Sequence, residues 1–306
     1  MADAIVVTYN SARSIAACLT ALLEGDLHVV VVDNAGTADI VRRQFPQCEL
    51  IANEENVGFA RAVNQGLACS RSDVLLLVNP DCIVPAATAR GLVAYLLEHP
   101  DVAIVGPRLR DADGSINISA RPSFTFGSML ANRARLFFPF LTPLLARSQG
   151  FASYDACLRA TEPTDVAMLT GACIAVRGDF LRGEVGGLDE GYFMYYEDVE
   201  LCFQARKRNR RVVYLPTVEA VHERGGSSGD RSHVWPLHTR SALRFYAKHR
   251  PRTFQLVRLA LLGRAVLGLA DPRGHRRQAW VRVARVTLTV PKQSLLSEPA
   301  PAANPH

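Results

Sequence analysis

Three apolar runs near the N-terminus each end on polar side chains that can bind a ligand. The polar residues that follow the three runs are Thr8, Tyr9 and Asn10, then Asp33 and Asn34, then Asn79 and Asp81. One carboxylate can accept hydrogen bonds from a uracil or thymine imide or from ribose hydroxyls. A second carboxylate can hold a divalent cation across a diphosphate. These strand ends therefore predict a nucleotide site.

The third run shows why a strand would stop on a carboxylate. Residues 74–78, VLLLV, have no polar alternation, which predicts a strand buried on both faces. Pro80 cannot donate to a sheet ladder and favours extended backbone at Asn79. Asp81 would then lie at the carboxyl edge of the sheet, where ligands bind in open α/β folds. The alternative is that Asp81 only caps a helix beginning near Pro85 or Ala86.

The elements around these residues alternate between strand and helix. Strand-like runs at 28–34, 48–53, 74–78 and 102–105 alternate with helical patterns at 38–45, 58–70 and 86–98. This order predicts an α/β fold with a mostly parallel, doubly wound sheet. No GxGxxG follows the first strand and no GxxxxGK[ST] occurs, which disfavours a dinucleotide fold and a P-loop.

The second half of the chain is less regular. Residues 166–177 predict a strand, a tight turn at Gly171 and another strand, and residues 195–209 predict a helix. Residues 211–216 predict a strand that Pro216 stops. The apolar residues 136–146 are too few to span a bilayer, and two prolines interrupt them.

Composition places the chain among globular proteins of a reducing compartment. The 306 residues are 48% hydrophobic and 21% charged. The start, MADAIVVTYN, leads directly into a strand-like run, which predicts no signal peptide. The seven cysteines are scattered without CxxC spacing, which argues against a zinc site and a disulfide framework. These features favour the cytoplasm.

Positive charge is concentrated near the C-terminus. Between Arg231 and Lys292, here named the basic segment, there are fourteen Lys or Arg and one acid, Asp271, whereas acids outnumber bases in the remainder. The pattern predicts an anionic partner surface, either membrane or nucleic acid. The alternative is a solvated basic face. Within the segment, residues 254–270 indicate an amphipathic or core helix rather than a transmembrane one.

An ordered set of motifs connects the chain with a known family. The motifs are IVVTYN, VVVDNAGTAD, NEENVGFARAVNQGL, LLLVNPDC, LTGACIAVR and GYFMYYEDVELCFQARKRNRRVVYLPTVEAVHERGGSS. Together they resemble the inverting glycosyltransferases of family 2, which have the GT-A fold, and most of all the rhamnosyltransferase branch. The resemblance covers about residues 4–230. It implies a GT-A catalytic domain over 1–230 with a variable acceptor-side region at 107–165. The pattern of the residues that follow predicts a basic, partly amphipathic helical segment over 231–292, and their composition predicts a disordered tail over 293–306.

The resemblance implies a donor site on the first strand ends. Asp33, Asn34 and the turn from Thr8 through Tyr9 to Asn10 would hold the nucleoside. The NVGFARAVN motif would line the donor site through Asn56, Gly58, Arg61 and Asn64. The NPD motif stands where the family often has two acids, so Asn79 replaces one carboxylate. Asp81 would reach the metal, either Mg²⁺ or Mn²⁺.

The resemblance also implies a catalytic base and a second metal ligand. Asp198 would deprotonate the acceptor hydroxyl, with Glu197 supporting it, and the helix N-terminus favours the ionised form. His222 would ligate the metal. Arg224, in a glycine-rich loop, would contact the diphosphate. Taken alone, Asp198 could be a helix-capping residue and His222 a surface histidine. The preceding aromatic residues Tyr192, Phe193, Tyr195 and Tyr196 could stack on an acceptor sugar or pack in the core.

The resemblance implies transfer of a sugar, L-rhamnose from dTDP-rhamnose, to a hydroxyl of a polysaccharide or polyprenyl-diphosphate-linked glycan. The enzyme would lie at the inner, anionic face of the plasma membrane without binding nucleic acid. A second interpretation is a degenerate GT-A domain that binds nucleotide or glycan in an assembly. A nucleotidyltransferase and a nucleic-acid binder are the others, and no motif in the sequence supports either.

Overall fold

The apolar runs of the N-terminal half form neighbouring parallel strands. The computed structural model describes residues 2–121, 157, 159–223 and 231–297. In chain order, the strands are β1 (Ala2–Thr8), β2 (His28–Asp33), β3 (Glu49–Ala52), β4 (Val74–Val78), β5 (Cys82–Ile83), β6 (Val102–Arg110), β7 (Ile116–Asn117), β8 (Ala120–Arg121), β9 (Thr164–Asp165), β10 (Met168–Leu169), β11 (Cys173–Arg177) and β12 (Arg211–His222). All five residues of β4 are buried, as its unbroken apolar sequence predicts.

The main sheet is parallel on one side and mixed on the other. Its strand order is β3-β2-β1-β4-β11-β6-β12-β5. The first four strands are parallel to one another, and β12 is parallel to β6. Strand β11 is antiparallel to both of its neighbours. The prediction of a mostly parallel α/β sheet is therefore confirmed.

Helices connect the strands of the N-terminal half and pack against the sheet there. In chain order, the α-helices are α1 (Ile15–Leu23), α2 (Ala38–Gln44), α3 (Phe59–Cys69), α4 (Ala86–Glu98), α5 (Glu197–Lys207), α6 (Trp235–His249), α7 (Phe254–Gly268), α8 (Gly274–Thr289) and α9 (Lys292–Ser297). Ile15, Leu19 and Leu22 recur at helical spacing in α1 and are fully buried. They belong to the same apolar core as Val31 and Leu76 of the sheet.

Pro216 does not end its strand, so the prediction of a stop at this residue was wrong. Strand β12 continues to His222. The pairing with β6 shifts its register between Leu215 and Glu219. An irregularity of this kind removes the need for a ladder N–H at the proline, which is why a strand can pass through it. The extension matters because His222, a predicted metal ligand, is the last residue of β12.

The chain folds into two compact units. The first comprises the described parts of Met1–Asn56, Ala62–Leu188 and Leu201–Gly226, and it contains the whole sheet. The second comprises Val57–Arg61, Asp189–Glu200 and the described part of Ser227–His306. The basic segment therefore shares a compact unit with two short stretches that come much earlier in the sequence. Helix α9 ends at Ser297, and the rest of the predicted tail lies outside the described residues.

The helices of the second unit have their own apolar contacts. Ala265 of α7 packs with Trp280 and Val283 of α8, and Trp235 lies against this small core. The Trp235 and Trp280 rings have centroids 4.3 Å apart. Among the described residues, no helix has both the length and the apolar character needed to cross a bilayer.

Candidate active site

The ends of β1 and β2 meet at the predicted edge of the sheet. Thr8 pairs with Asp33 in the parallel ladder. The Thr8 hydroxyl donates a 2.7 Å hydrogen bond to Asp33 Oδ1, and both residues are buried. Parallel strands place their carboxyl ends on one side, so this pair marks the edge where the sequence predicts nucleotide binding.

The Asp33 carboxylate also organises the loop that follows it. Its Oδ2 accepts from the backbone N–H groups of Thr37 at 3.1 Å and Ala38 at 2.8 Å, at the start of α2. Its Oδ1 accepts from the N–H of Ala35 at 3.3 Å. These bonds satisfy N–H groups at the helix entrance. The structure thus gives Asp33 a loop-shaping role, while nucleoside binding by this residue stays a prediction.

The loops after β1 and β2 are joined through Asn10. Its N–H donates to Ala35 O at 2.8 Å, and its φ of 51° lies in the left-handed region. Gly36 is also left-handed, and a Cβ there would come within 2.4 Å of Asn10 Oδ1. The neighbouring Tyr9 side chain is exposed. The predicted nucleoside loop therefore has a fixed backbone with one aromatic side chain at its surface.

Three amides adjoin this edge. Asn53 Nδ2 donates to Asn34 Oδ1 and to Gln65 Oε1, each at 2.9 Å. Gln65 Nε2 donates back to Asn53 Oδ1 at 2.9 Å. Asn34 was predicted from the sequence, whereas Asn53 and Gln65 were not. Asn53 follows β3, so the rule that located the other polar strand ends would also have found it.

Asp81 lies beside His222. Strand β5, directly after Asp81, pairs antiparallel with the end of β12, and Cys82 is opposite His222. Asp81 Oδ1 is 3.2 Å from His222 Nε2, and both side chains are mostly buried. Helix α4 has Pro85 as its N-cap residue without a side-chain cap. The alternative that Asp81 caps this helix is therefore wrong.

The Asp81 and His222 pair has the chemistry of a partial cation site. His222 Nδ1 is buried and has no hydrogen-bond partner within the part of the chain that the structure describes. The ring therefore offers nitrogen on two sides next to a carboxylate. The described residues contain no group of three or more acids, histidines or cysteines arranged for a metal. Two side chains suit an ion that takes its remaining oxygens from a diphosphate and water.

In the first unit, Asn64 is bound to the backbone before the predicted base. Its Nδ2 donates to Leu188 O at 2.9 Å, and its Oδ1 accepts from Leu188 N–H at 2.8 Å. A Cβ on Gly187, which has a φ of +98°, would lie 2.7 Å from Asn64 Oδ1. Asn64 was predicted to contribute to the donor site. The structure shows that it pairs with a peptide group, while donor contact stays a prediction.

In the second unit, the residues before α3 contact the aromatic stretch before α5. The N–H of Phe59 donates to Phe193 O at 2.7 Å. Gly58 has a φ of +87°, and a Cβ there would lie 2.7 Å from Phe193 O. Arg61 Nε is 3.0 Å from Glu190 Oε2. Thus Gly58 and Arg61, both predicted at the donor site, each pack against residues 190–193, and Asn56 is half-buried just before them.

The predicted base follows an unusual backbone turn. Tyr195 and Tyr196 have φ angles of 69° and 71°, a region that bulky side chains rarely adopt. Helix α5 begins at Glu197 directly after them. Asp198 Oδ1 accepts from Val199 N–H at 2.7 Å. Asp198 therefore lies in the first turn of a helix, where the helix dipole favours negative charge.

Glu197 and Asp198 have different environments. Burial, and after it the negative charge of Asp198, raise the pKa of Glu197 to about 8. Glu197 Oε2 is buried and without a hydrogen-bond partner among the described residues. Both effects favour the protonated form of Glu197, next to the predicted base.

The turn is packed against helix α6. The rings of Tyr195 and Tyr196 have centroids 5.6 Å and 5.2 Å from that of His238. Ser241 Oγ donates to Met194 O at 2.8 Å. Left-handed aromatic residues persist where surrounding contacts hold them. Helix α6 supplies such contacts within this unit.

Sequence reasoning missed a buried ionic network beside the base. Glu200 is buried and accepts from Lys248 Nζ at 2.8 Å and from Tyr192 Oη at 3.1 Å, and it lies 2.6 Å from His249 Nε2. Lys248 also bridges to Asp189 Oδ2 at 2.8 Å. Arg244 Nη2 reaches the same carboxylate at 2.8 Å. Part of the basic segment is thus neutralised internally.

The N-terminal half of the chain matches the model of a protein family. The profile described as Glycosyl transferase family 2 matches residues 3–159, just over half of the chain. The chain belongs to glycosyltransferase family 2. The predicted enzyme class, a nucleotide-sugar glycosyltransferase, is confirmed.

Two curated relatives extend this family 2 assignment beyond the matched region. The N-acetylglucosaminyl-diphospho-decaprenol L-rhamnosyltransferase of Mycobacterium tuberculosis is 30% identical over 246 residues, which cover 74% of this chain and 76% of that protein. The low-salt glycan biosynthesis hexosyltransferase Agl10 of Haloferax volcanii is 26% identical over 226 residues, which cover 71% of this chain and 66% of that protein.

Solved structures support the fold of this family 2 glycosyltransferase. GalNAc-T7 with UDP, GalNAc and Mn²⁺ has a TM-score of 0.58 and 14% identity, over 98% of this chain and 58% of that chain. The mannosyltransferase PcManGT from Pyrobaculum calidifontis, in complex with GDP-Man and Mn²⁺, has a TM-score of 0.54 and 20% identity, over 96% of this chain and 77% of that one. This chain therefore spans little more than half the length of the first. At these identities the likeness shows the fold alone, and it confirms the predicted GT-A fold.

Some predicted features of this glycosyltransferase cannot be placed. Arg224 and its glycine-rich loop lie outside the described residues, as does most of the region 107–165. Of the aromatic residues before the base, Tyr192, Phe193 and Tyr196 are buried, and Tyr195 is half-buried. Packing therefore accounts for the first three, while stacking of Tyr195 on an acceptor sugar stays a prediction.

Proposed function

We propose that the chain transfers L-rhamnose from dTDP-rhamnose to a hydroxyl of a lipid-linked or polysaccharide acceptor, with inversion, in cell-wall or surface glycan synthesis. The Asp81 and His222 pair at the sheet edge carries the proposal, because a buried acid beside a histidine suits a cation bound to a nucleoside diphosphate. The choice of rhamnose rests on the name of the mycobacterial relative.

In this proposal Asp81 and His222 hold the divalent ion, Mg²⁺ or Mn²⁺. When bound, such an ion stabilises the negative charge that gathers on a departing diphosphate. The two solved structures that contain Mn²⁺ support the choice of a divalent ion. The strand ends with Thr8 and Asp33 bind the nucleoside, and the exposed Tyr9 offers a ring to the base.

Asp198 acts as the general base. It takes the proton from the acceptor hydroxyl while the acceptor oxygen forms a bond to the anomeric carbon. The bond from that carbon to the diphosphate oxygen breaks in the same step, and the nucleoside diphosphate leaves with the electron pair. Burial favours the protonated form of Glu197, and the position of Asp198 in the first helical turn favours its ionised form, which supports Asp198 as the base.

The acceptor suggests where the enzyme works. The mycobacterial relative is named for a diphospho-decaprenol acceptor. We propose a polyprenyl-diphosphate-linked glycan as the acceptor here, and a peripheral location at the cytoplasmic, anionic face of the plasma membrane. The excess of positive charge in the basic segment supports this location.

Release of nucleoside diphosphate tests the proposal. The purified chain is incubated with dTDP-rhamnose, UDP-glucose, UDP-galactose or GDP-mannose, with Mn²⁺, Mg²⁺ or EDTA, and with a synthetic polyprenyl-diphosphate GlcNAc acceptor. We expect release from dTDP-rhamnose that needs both metal and acceptor. Asp198→Asn should lose most of it, and Asp39→Asn, an exposed carboxylate on α2, should not.

The other outcomes separate the alternatives. Release from a different donor would overturn the choice of rhamnose but keep the transferase. Calorimetric binding of dTDP without turnover of any donor would favour the degenerate, nucleotide-binding domain instead. Equal activity of Asp198→Asn and the unmodified enzyme would overturn the assignment of the base.

A further inference from the structure

Helix α7 exposes an apolar face. Leu256, Leu259 and Leu267 are 54%, 63% and 73% exposed, and Val266 is also largely exposed. Their spacing places them on one side of the helix, over roughly 16 Å of its length. The opposite side is buried and apolar as well, through Phe254, Val257, Leu261 and Ala265. The helix is therefore apolar on both sides.

The two arginines within α7 do not interrupt this exposed face. Arg258 donates from Nε to Thr287 O at 2.6 Å and from Nη2 to Leu288 O at 2.7 Å, at the end of α8. The Arg264 guanidinium lies 4.9 Å from the centre of the Trp280 ring, also on α8. Both cations are thus turned toward the neighbouring helix. The outward side chains of α7 between Leu256 and Leu267 carry no charge.

The chain around α7 also exposes many cations. The exposed arginines shortly before α7 are Arg250 and Arg252, and those at the start of and along α8 are Arg273, Arg277, Arg282 and Arg285. Asp271, the one acid of the basic segment, has its carboxylate 3.0 Å from Arg273. Helix α8 also exposes Val281 and Leu288 among its arginines. The surface therefore combines apolar side chains with cations and almost no negative charge.

We propose that this surface, the outer faces of α7 and α8, docks on an anionic lipid bilayer. The leucines of α7 would enter the boundary between headgroups and acyl chains, and the arginines would contact lipid phosphates. A second copy of the chain is a poorer occupant, because pairing two such faces would bring arginines of like charge together. The inference names the surface for the membrane partner of the proposed function, yet it requires no catalytic step.

Vesicle flotation of the full chain tests the proposal. We expect flotation with vesicles that contain about a third phosphatidylglycerol and much less with pure phosphatidylcholine. Leu259→Ser combined with Leu267→Ser should lower the partition coefficient roughly tenfold or more, since several buried methylenes are lost. Leu97→Ser is the matched control, because Leu97 is 57% exposed on α4, outside this surface. It should float like the unmodified chain.

A charge variant separates the two contributions. Arg277→Gln combined with Arg282→Gln should weaken binding to anionic vesicles severalfold and make that binding less dependent on salt. Unchanged flotation of the leucine variant would overturn the proposal. A second result would also overturn it. If the unmodified chain self-associates in sedimentation, binds no vesicles, and loses its self-association in the leucine variant, then a second copy occupies this surface.

The test is independent of catalysis. Asp198→Asn should float normally, and the leucine variant should release nucleoside diphosphate normally from donor and a soluble acceptor analogue. An inactive enzyme that still floats would leave the docking surface intact while overturning the proposed reaction. An active enzyme that never floats would overturn the docking surface and leave the proposed reaction intact.

Discussion

His222 Nε2 lies 3.2 Å from Asp81 Oδ1, and the backbone holds the two residues together, because Glu223 N–H donates to Asp81 O at 2.9 Å. We expect His222→Ala and Asp81→Asn each to raise the Mn²⁺ concentration needed for half-maximal activity by roughly tenfold or more, as loss of metal-site groups does elsewhere. The measurement is nucleoside diphosphate release against Mn²⁺ concentration, together with Mn²⁺ binding in the presence of dTDP.

His28→Ala is the control for this pair. His28 lies near Asp3, at the start of the parallel strands and away from their carboxyl ends. Its removal should leave the metal curve unchanged. If His222→Ala gives the same half-maximal Mn²⁺ concentration as the unmodified enzyme, His222 is not a ligand.

The sheet edge could be predicted because local sequence determines it. An unbroken apolar run such as VLLLV leaves little choice but a strand buried on both faces, and Pro80 follows it directly. Parallel strands then place Thr8, Asp33 and Asp81 on the same side. The loop-shaping role of Asp33 could also have been predicted, because Asp33 lies only five residues before Ala38, from whose N–H it accepts a hydrogen bond.

Contacts between distant segments could not be predicted in the same way. Nothing in the pattern of α5 shows that Glu200 meets Lys248, since their pairing depends on how α6 folds back within the second unit. The register shift that carries β12 past Pro216 depends on its partner strand β6. For the same reason, the basic segment could be recognised by its charge. The sequence did not show which of its residues form ion pairs, as Arg244 does, and which are exposed, as Arg282 is.

Glu197 gives a prediction about pH. Its pKa is raised to about 8 in the folded chain, whereas the unfolded chain releases the proton near the ordinary value of 4.5. Stability is therefore fully present below the unfolded pKa and is lost as pH rises toward the folded pKa, by about 1 kcal/mol per pH unit. Glu197→Gln removes this loss, so its melting temperature should gain on that of the unmodified chain between pH 5 and pH 8.

Thermal melts at several pH values measure this effect. Glu98→Gln serves as the control, because Glu98 is exposed near the end of α4 and its side chain is therefore solvated in the folded chain as in the unfolded one. Its difference from the unmodified chain should stay constant with pH. A constant difference for Glu197→Gln as well would show that Glu197 is already ionised at neutral pH.

Lys248 is expected to stabilise the second unit. Its ammonium group lies between Asp189 and Glu200, and Lys248→Met leaves both carboxylates without it. Removing one partner from a buried ion pair costs about 3–5 kcal/mol. The cost here should be about 2 kcal/mol, because the Lys248 side chain is itself 32% exposed, and because Glu200 keeps Tyr192 and Asp189 keeps Arg244. Urea unfolding should show a lower midpoint.

Lys207→Met is the matched change for Lys248. Lys207 is exposed in the last turn of α5. We expect its free energy of unfolding to stay within about 0.5 kcal/mol of that of the unmodified chain, as is usual for surface substitutions. Similar losses for both variants would mean that the ionic network contributes no more than an ordinary surface lysine.

Gly58 and Gly114 allow steric contact to be separated from backbone strain. Their φ angles are +87° and +82°, so alanine at either position incurs the left-handed penalty of about 1 kcal/mol. At Gly114 a Cβ meets nothing within 4 Å, whereas at Gly58 it would lie 2.7 Å from Phe193 O and 2.9 Å from Phe193 Cδ2. Overpacking of this kind costs about 1–3 kcal/mol. Gly58→Ala should therefore lower the urea midpoint clearly more than Gly114→Ala.

Because Phe193 precedes the turn that leads to Asp198, Gly58→Ala should also reduce kcat, while Gly114→Ala should leave kcat unchanged. Equal midpoints for the two variants would show that Phe193 moves aside without cost, and the contact would then not hold the turn.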